Sequence, residues 1–438
     1  MERVSRGARG GGSLPGGRAG GRRGARLDSR PVGRAGGVRD IVRVPEVRAA
    51  LVGTFVIMLG FGILYPILPL YARSFGVGYD AVGVLAASFA LTRLASDLVA
   101  GRVVDRVGER RTATAGALVV GASSAAAALA PTFELLVAFR AAGGAGSALF
   151  FAAMLSYLLK VAPEGRVGRV MGVYFATFNL GFIAGPPLGG VVAAWLGLAA
   201  PLWIYAASCL GAAVLYHRTI HDLERGDAGR GTDPVRGWRR LPWDRAFVAT
   251  LVANGAQTWM VGGVYSTLVP LFGRERVGLD EVGVSVSIAV ASATEFLALY
   301  PAGAIADRVG RKAVLGPSLA VIVLVLWGLA RAVEPTWFLA ALAVLGAAFG
   351  AGGVAPAAML SDLTPAEASG TATGVFRFVG DLGFVLGPLS AGASADAFGL
   401  GPAFALAGLP CALALVLLLG VRETLAVARA RRHEEAGL

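Results

Sequence analysis

The chain has 438 residues, of which 55% are hydrophobic and only 16% are charged. An ordinary water-soluble protein carries about 25% charged residues, so this composition excludes that class. The apolar residues come in repeated runs long enough to cross a bilayer, at roughly 20 residues per helix. Backbone groups in lipid must be paired, which favours helices, and a β-barrel would instead show short alternating strands.

Residues 1–46 form a basic N-terminal tail that is rich in Arg and Gly. Such a segment has too few apolar residues to fold, so we expect disorder. Attraction to anionic membrane lipid is the favoured interpretation of its charge. A nucleic-acid-binding arm and a wrongly assigned start codon are the alternatives. We expect no nucleic acid partner.

Twelve apolar runs follow this tail, and each predicts one transmembrane helix. A polar stretch at 218–245 separates six runs from six. We therefore expect a first half at 47–217, a cytoplasmic linker at 218–245, a second half at 246–421 and a C-terminal tail at 422–438. The predicted helices lie at about 48–70, 81–104, 112–130, 132–156, 168–195, 199–217, 246–272, 281–305, 313–332, 335–360, 371–397 and 401–421.

Basic residues are distributed unequally between the two sides of these predicted helices. With both termini on one side, that side holds 12 basic residues in the tail and 20 elsewhere, 32 in all, against 4 on the other side. Because loops rich in Lys and Arg stay in the cytoplasm, we expect both termini to be cytoplasmic. We expect a multi-pass protein of a bacterial-type plasma membrane.

The two halves repeat short sequences at a nearly constant offset. GRVVDRVGERR at 101–111 recurs as GAIADRVGRK at 303–312, and GFIAGP at 181–186 recurs as GFVLGP at 383–388, both 202 residues later. A third match joins 77–83 to 277–283 at an offset of 200. Six helices per half make the repeats parallel, related by an axis along the membrane normal.

These motifs resemble those of the major facilitator superfamily, over residues 48–421. A G-x-x-x-D-R-x-G-R-R loop between helices two and three is the hallmark of that superfamily, and this chain has it twice. Glu109 departs from the pattern, which has a basic residue there. The resemblance implies an all-α membrane protein with twelve transmembrane helices in two pseudo-symmetric six-helix halves. We expect it to function as a monomer.

Two further motifs resemble those of twelve-helix drug/proton antiporters. Predicted helix one carries LG at 59–60 followed by PILP at 66–69, and predicted helix five carries G-x-x-x-G-P-x-x-G-G at 181–190. Glycines four apart allow close helix contact, and proline lets a helix bend. The alternative is ordinary glycine packing. The residues predicted to bend and pack helices are Pro66, Pro69, Gly181, Gly185, Pro186, Gly189, Gly383, Gly387 and Pro388.

Two charged residues within predicted helices are candidates for proton coupling. Arg140 begins an R-x-x-x-G-x-G motif, and the resemblance gives it a role in coupling; the alternative is that it snorkels to an interface. Glu295 lies near the middle of predicted helix eight, at the position equivalent to Arg93. An isolated carboxyl there can load and release a proton. The alternative is a structural ion pair or hydrogen bond, for example to Asn179.

Charged pairs on helices two and eleven predict a gate. The resemblance places these helices side by side, and their depths match Asp97 with Arg377 and Arg93 with Asp381. We predict that these crossed pairs close the cytoplasmic side in the outward-facing state. The alternative is pairing within each helix, which would gate nothing. The predicted cytoplasmic gate comprises Arg93, Asp97, Asp105, Asp307, Arg377 and Asp381.

Polar and aromatic residues within the predicted helices are candidates for lining a substrate cavity. Aromatic side chains in membrane helices are also common as core or interface anchors, which is the alternative. The predicted cavity residues are Tyr65, Tyr174, Asn179, Asn254, Gln257 and Trp259.

The sequence favours secondary active transport. No phosphate-binding P-loop, catalytic constellation or metal-ligand cluster stands out, so we expect neither an enzyme nor a cofactor. We expect proton-coupled efflux of small organic compounds or drugs by alternating access, with protons, substrate and membrane lipid as partners. A proton-coupled metabolite importer is the alternative within transport. A non-transporting sensor or lipid-handling protein on the same fold is the alternative outside it.

Overall fold

The computed structural model describes residues 45–162, 167–222, 241–365 and 368–426, and every regular element in these ranges is helical. The predicted all-α fold is therefore confirmed. Each predicted apolar run corresponds to one helix, and we number these helices α1 to α12. Nearly all of the predicted N-terminal tail, most of the predicted linker and most of the C-terminal tail lie outside the described residues.

The first half contains α1 to α6. Two of these six helices are interrupted and consist of two segments each. Their bounds are α1 Pro45–Leu64 with Leu68–Arg73, α2 Tyr79–Val107, α3 Glu109–Ala128, α4 Phe133–Val161, α5 Val167–Ala184 with Pro186–Leu196, and α6 Ala200–Thr219.

The second half contains α7 to α12. Its first helix, α7, includes a π-helical segment, and α10 and α12 are each interrupted once. Their bounds are α7 Arg245–Trp259, π segment Met260–Leu268 and Val269–Glu275, α8 Glu281–Arg308, α9 Lys312–Leu329, α10 Pro335–Gly353 with Ala355–Leu363, α11 Ser369–Phe398, and α12 Leu400–Ala407 with Leu409–Leu419.

Among the described residues, ten of these helices are long and apolar enough by composition to cross a membrane. The other two are α3, which begins with the charged sequence ERR and is rich in alanine, and α7, which the π segment divides. Both pack within the same bundle as their neighbours.

Proline and glycine accompany the interruptions of α1 and α5. The helix of α1 stops at Leu64, just before Pro66, and α5 stops just before Pro186. Proline has no backbone N–H to donate, so a helix is weakest at such a residue. Pro388, the equivalent of Pro186 in the second half, lies inside an uninterrupted α11.

Glycines bring α5 into backbone contact with α1. A Cβ atom at Gly185 would lie 2.5 Å from the Cα atom of Gly62, and one at Gly181 would lie 2.7 Å from the carbonyl oxygen of Phe55. The second half repeats this packing between α11 and α7. A Cβ atom at Gly387 would lie 2.5 Å from the carbonyl oxygen of Trp259. Only glycine permits so close an approach.

Each copy of the repeated loop is held by an acid that follows the sixth helix of its half. In the first half, Arg110 N donates to the Asp222 carboxylate at 3.0 Å. In the second, Lys312 N donates to the Glu423 carboxylate at 3.1 Å. Each loop turns at a glycine with positive φ, Gly108 at 96° and Gly310 at 137°, a conformation that disfavours other residues.

The unusual Glu109 belongs to an ion pair whose charges are exchanged between the halves. Glu109 lies 2.5 Å from Lys160 at the end of α4. At the equivalent positions, 202 residues later in the chain, Arg311 Nε lies 3.2 Å from Asp362 at the end of α10. The same position is therefore acidic and paired with a base in the first half, and basic and paired with an acid in the second.

Reversing one charge of the first-half pair is expected to destabilise the protein. Glu109→Arg places a cation beside Lys160, and breaking a buried pair costs on the order of 3–5 kcal/mol. We expect the lower end, because the Lys160 side chain is 30% exposed. The double variant Glu109→Arg/Lys160→Asp recreates the charges of the second half. It should therefore recover most of the melting temperature in detergent that Glu109→Arg loses.

The control for this charge exchange is Arg331→Glu, which reverses an exposed charge outside both pairs and should leave the melting temperature unchanged. If the double variant melts no higher than Glu109→Arg, the two pairs are not interchangeable.

The backbone contact at Gly185 predicts a large effect of one methyl group. Gly185→Ala should lower the free energy of unfolding by about 1–3 kcal/mol, because the added carbon overlaps the backbone of α1. Gly172, also in α5, has open space at its Cβ position, so Gly172→Ala should be neutral or stabilise by up to about 1 kcal/mol. Thermal unfolding in detergent measures both, and equal effects would contradict the packing argument.

Candidate transport site

The two halves meet at one end of the bundle. We call this end the distal face, since α1 and α7 end there, and the opposite end, where α1 begins and α12 ends, the terminal face. At the distal face Arg73 Nε lies 3.0 Å from the Glu275 carboxylate, and the Tyr79 hydroxyl also donates to Glu275. The backbone N–H groups of Tyr79 and Asp80 donate to Asp396, each at 3.0 Å. These contacts close the distal face.

A further contact between the halves lies deeper in the bundle. The Tyr65 hydroxyl, in the interruption of α1, donates to the Val261 carbonyl at 2.6 Å. Val261 belongs to the π segment of α7. The two irregular segments of the two first helices therefore contact each other directly.

The same halves separate toward the terminal face. Near the distal ends of α2 and α11, Cβ atoms at Gly83 and Gly392 would overlap the backbone of the other helix. Nearer the terminal face, Gly101 of α2 and Gly374 of α11 have nothing within 4 Å of the Cβ position. Among the described residues, α2 and α11 are therefore in backbone contact near the distal face and further apart toward the terminal face.

A cavity of about 290 Å³ lies between the halves. Eight aromatic rings and three charged side chains line it, which suits an organic molecule with a few polar groups. Its lining residues are Phe61, Tyr65, Phe89, Ala90, Arg93, Phe178, Asn179, Phe182, Thr258, Val261, Tyr265, Ile288, Ser292, Glu295, Phe349, Gly380, Asp381 and Phe384.

Glu295 lies on this cavity without a partner among the described residues, since its carboxylate forms neither an ion pair nor a hydrogen bond there. Asn179, the predicted hydrogen-bond partner, lines the same cavity, but its amide donates to the Phe175 carbonyl at 3.0 Å within α5. Gly350 of α10 packs against the backbone of Glu295 and fixes this turn of α8. The side chain is therefore free to interact with a proton or a ligand.

Arg140 is buried behind the cavity wall. It is 2% exposed, so it does not snorkel to an interface. Its guanidinium carbon lies 4.5 Å from the ring centroid of Phe89, which lines the cavity. Its Nε and Nη1 atoms have no hydrogen-bond partner among the described residues, and no described carboxylate pairs with it.

The predicted gate residues do not pair between the halves in this state. Arg93 Nε lies 4.0 Å from Asp97 within α2, as in the alternative interpretation. In the described part of the chain Arg377 and Asp381 form no salt bridge, although Asp381 lines the cavity. The crossed pairs concern a state closed at the terminal face, so they stay a prediction.

The other two residues of the predicted gate, Asp105 and Asp307, also form no salt bridge between the halves among the described residues. Asp307 lies 2.7 Å from Arg311 of its own half. Asp105 is exposed and has no salt bridge within the described residues.

Only two of the six predicted cavity residues, Tyr65 and Asn179, line the cavity. The other four do not line it in this state, so their part of the prediction stays untested. Asn254 donates to the Phe376 carbonyl at 2.8 Å, and Trp259 donates to the Ser390 hydroxyl at 2.9 Å. Gln257 and Tyr174 are buried away from the cavity.

The aromatic wall of the cavity was missed by sequence reasoning. One signal for it was present, since Phe182 and Phe384 follow the glycine of the repeated GF motif and occupy equivalent positions in the two halves. Two such positions facing one axis of pseudo-symmetry are expected to meet across it.

Comparisons with known proteins agree with this architecture. The family profile described as Major Facilitator Superfamily matches residues 50–299 and 281–436. The chain is 23% identical over 351 residues to an uncharacterized MFS-type transporter of Methanocaldococcus jannaschii, covering 79% of this chain and 90% of that protein.

Two drug-resistance proteins match shorter stretches. Multidrug resistance protein 1 of Bacillus subtilis is 26% identical over 239 residues, covering 54% of this chain and 61% of that protein. Quinolone resistance protein NorA of Staphylococcus aureus is 24% identical over 237 residues, covering 53% and 60%. The matches to these two proteins thus span less than two thirds of their length.

Solved structures show the same fold. A bacterial homolog of the human lysosomal transporter Spinster, inward-facing and unoccupied, has a TM-score of 0.70 at 15% identity, covering 88% of this chain and 98% of that one. The nucleoside transporter NupG has a TM-score of 0.73 at 13% identity, covering 85% and 99%.

Weakening the distal contacts should shift the protein toward opening at that face. Glu275→Gln removes the ion pair with Arg73, and exposed pairs contribute about 0.2–1 kcal/mol. The equilibrium constant between the states that are closed and open at the distal face should therefore change by up to about fivefold. Spin labels at Leu129→Cys and Val333→Cys, both exposed on distal loops, report the distance between the halves.

The control for the distal contacts is Glu134→Gln, an exposed acid of the distal face outside the contact network. An identical distance distribution for Glu275→Gln and Glu134→Gln would show that these contacts do not hold the face closed.

Proposed function

Because this chain belongs to the Major Facilitator Superfamily and is a multi-pass membrane transporter, we propose that it exports small organic compounds in exchange for protons. One observation carries this proposal: the carboxyl of Glu295, which has no partner among the described residues, lies in an aromatic cavity between the halves, and the described halves touch at the distal face. Such a site can hold either a proton or a substrate and can be exposed to the two faces in turn.

Exchange follows from competition for one carboxylate. A proton neutralises Glu295 and removes its attraction for a polar or cationic group of the substrate. Substrate binding to the ionised carboxylate has the reverse effect, because linkage between two ligands is reciprocal. Each transport cycle can then return a proton for each substrate released.

The direction of transport depends on which face is cytoplasmic. We propose that the terminal face is, because the positively charged segments of a multi-pass protein stay in the cytoplasm. The cavity is then open to the cytoplasm in this structure, which is where an exporter loads. The names of the Bacillus and Staphylococcus relatives, both resistance proteins, support export. The proposal also places this chain in a bacterial-type plasma membrane as a monomer.

The opposite state requires closure of the terminal face. We propose the crossed pairs Asp97–Arg377 and Arg93–Asp381 for this purpose. The packing of α2 against α11 toward the distal face supports the pairing, because it holds the two helices side by side. Arg93 and Asp97 are only 4.0 Å apart, with atoms that have no hydrogen-bond partner among the described residues, so both are able to change partners.

Arg140 contributes to coupling through its charge. A guanidinium stays protonated in proteins, so this cation persists beside the cavity wall throughout the cycle. Its position behind Phe89 supports an electrostatic effect on the cavity without direct contact.

Liposomes containing the purified protein test the proposal with rhodamine 123 as the probe. An antiporter accumulates the dye when the interior is acidic, since protons leave as the dye enters. An importer working by symport accumulates it when the exterior is acidic. Uptake equal to that of protein-free liposomes under both gradients would contradict transport of this dye and favour a protein that does not transport.

Glu295→Gln is expected to abolish uptake driven by an acidic interior. The amide preserves the shape of the side chain but cannot take up a proton, so the gradient no longer drives exchange. Dye-for-dye exchange at equal pH should persist at a raised dye concentration, because it needs no net proton movement although the amide binds the dye more weakly. Glu281→Gln, on the same helix but paired with Arg274 at the distal face, is the control and should retain gradient-driven uptake. Full uptake by Glu295→Gln would contradict coupling through this carboxyl.

A further inference from the structure

Two of the three charged residues that line the cavity, Arg93 and Glu295, occupy equivalent positions in the two halves. They are 202 residues apart, on α2 and α8, and both line the cavity. Equivalent positions of the two halves face a common axis, so an opposite sign at this position gives the cavity a basic side and an acidic side.

Neighbouring charges strengthen this separation. Arg140, in the first half with Arg93, has no counter-ion among the described residues and stacks on Phe89 of the cavity wall. Asp381, in the second half with Glu295, also lines the cavity. Asp97 offsets part of the Arg93 charge, but at 4.0 Å and without a hydrogen bond to it.

The distal face shows what such a pair does when the halves meet. Arg73 and Glu275 are likewise 202 residues apart and opposite in sign, and they form a salt bridge of 3.0 Å. Arg93 and Glu295 have the same relationship but are separated by the cavity. A ligand with one charge would satisfy only one of them when the cavity closes, and an uncompensated charge in a dry site is costly.

On the basis of the proposed transport function, we propose that the substrate is an amphoteric aromatic compound. Its anionic group lies toward Arg93 and its cationic group toward Glu295. The aromatic body lies between rings of the first half, among them the stacked Phe61 and Phe182, and rings of the second half, among them Phe384. Arg93 and Glu295 are then both neutralised by one ligand.

Rhodamine 110 and rhodamine 123 are matched probes, because the second is the methyl ester of the first. The ester removes the carboxylate and keeps the aromatic body and the positive charge. Fluorescence anisotropy with purified protein in detergent should show rhodamine 110 binding at least about tenfold more tightly.

Variants assign the two ends of the ligand. Arg93→Gln should weaken the binding of rhodamine 110 by about tenfold or more and leave the binding of rhodamine 123 unchanged. Glu295→Gln should weaken both dyes. Arg93→Glu/Glu295→Arg exchanges the two ends, so it should regain the preference for rhodamine 110 that each single reversal loses. Arg331→Gln, an exposed arginine of the distal face, is the control and should change neither affinity.

The outcomes separate this inference from the proposed function. Equal binding of the two dyes, an unchanged ratio in Arg93→Gln, or no binding of either dye overturns the amphoteric substrate. Equal binding together with gradient-driven uptake of rhodamine 123 overturns it while leaving proton-coupled export in place. The expected binding pattern without gradient-driven uptake supports the two-ended site and contradicts export.

Discussion

The structure depends on the direct contact of helix backbones at glycine. Gly185 brings α5 onto α1, and its equivalent Gly387 brings α11 onto α7. Association in lipid gains little from burying apolar surface, so close packing has to supply the attraction between helices. These contacts hold the cavity-lining faces of α1, α5, α7 and α11 in place. The interruptions of α1 and α7 beside them form the contact of Tyr65 with Val261 between the halves.

A duplicated unit with reversed charges explains several separate features. Arg73 and Glu275 close the distal face, while Arg93 and Glu295 give the cavity two electrostatic sides. Glu109–Lys160 and Arg311–Asp362 make the same internal pair with exchanged signs. Identical charges at the positions of Arg73 and Glu275, or of Arg93 and Glu295, would repel each other across the axis. Opposite signs therefore allow the two halves to come together. Within each half only the complementarity of the pair matters, and either order satisfies it.

The fold was predictable from the sequence because it depends on local patterns. Apolar runs, basic loops and the 202-residue repeat predicted twelve helices in two halves, and the GF-x-x-GP motif indicated where helices approach. The cavity was only partly predictable. Helical periodicity does not show which way an irregular helix turns. The sequence therefore predicts Trp259 and Asn254, which precede the π segment, as cavity residues, although they face α11 in the structure. The role of Glu109 required its distance to Lys160, 51 residues away.

Competition between proton and substrate for Glu295 predicts that protonation of this carboxyl changes which face is open. Spin labels at Arg102→Cys and Thr373→Cys, exposed on α2 and α11 near the terminal face, measure this opening without any substrate. The native Cys209 and Cys411 are buried, which favours labelling at the introduced sites. We expect the distance distribution of the labelled protein with native Glu295 to change with pH, whereas the labelled Glu295→Gln variant should keep the low-pH distribution at every pH. A pH response of Glu295→Gln equal to that of the native protein would contradict this expectation.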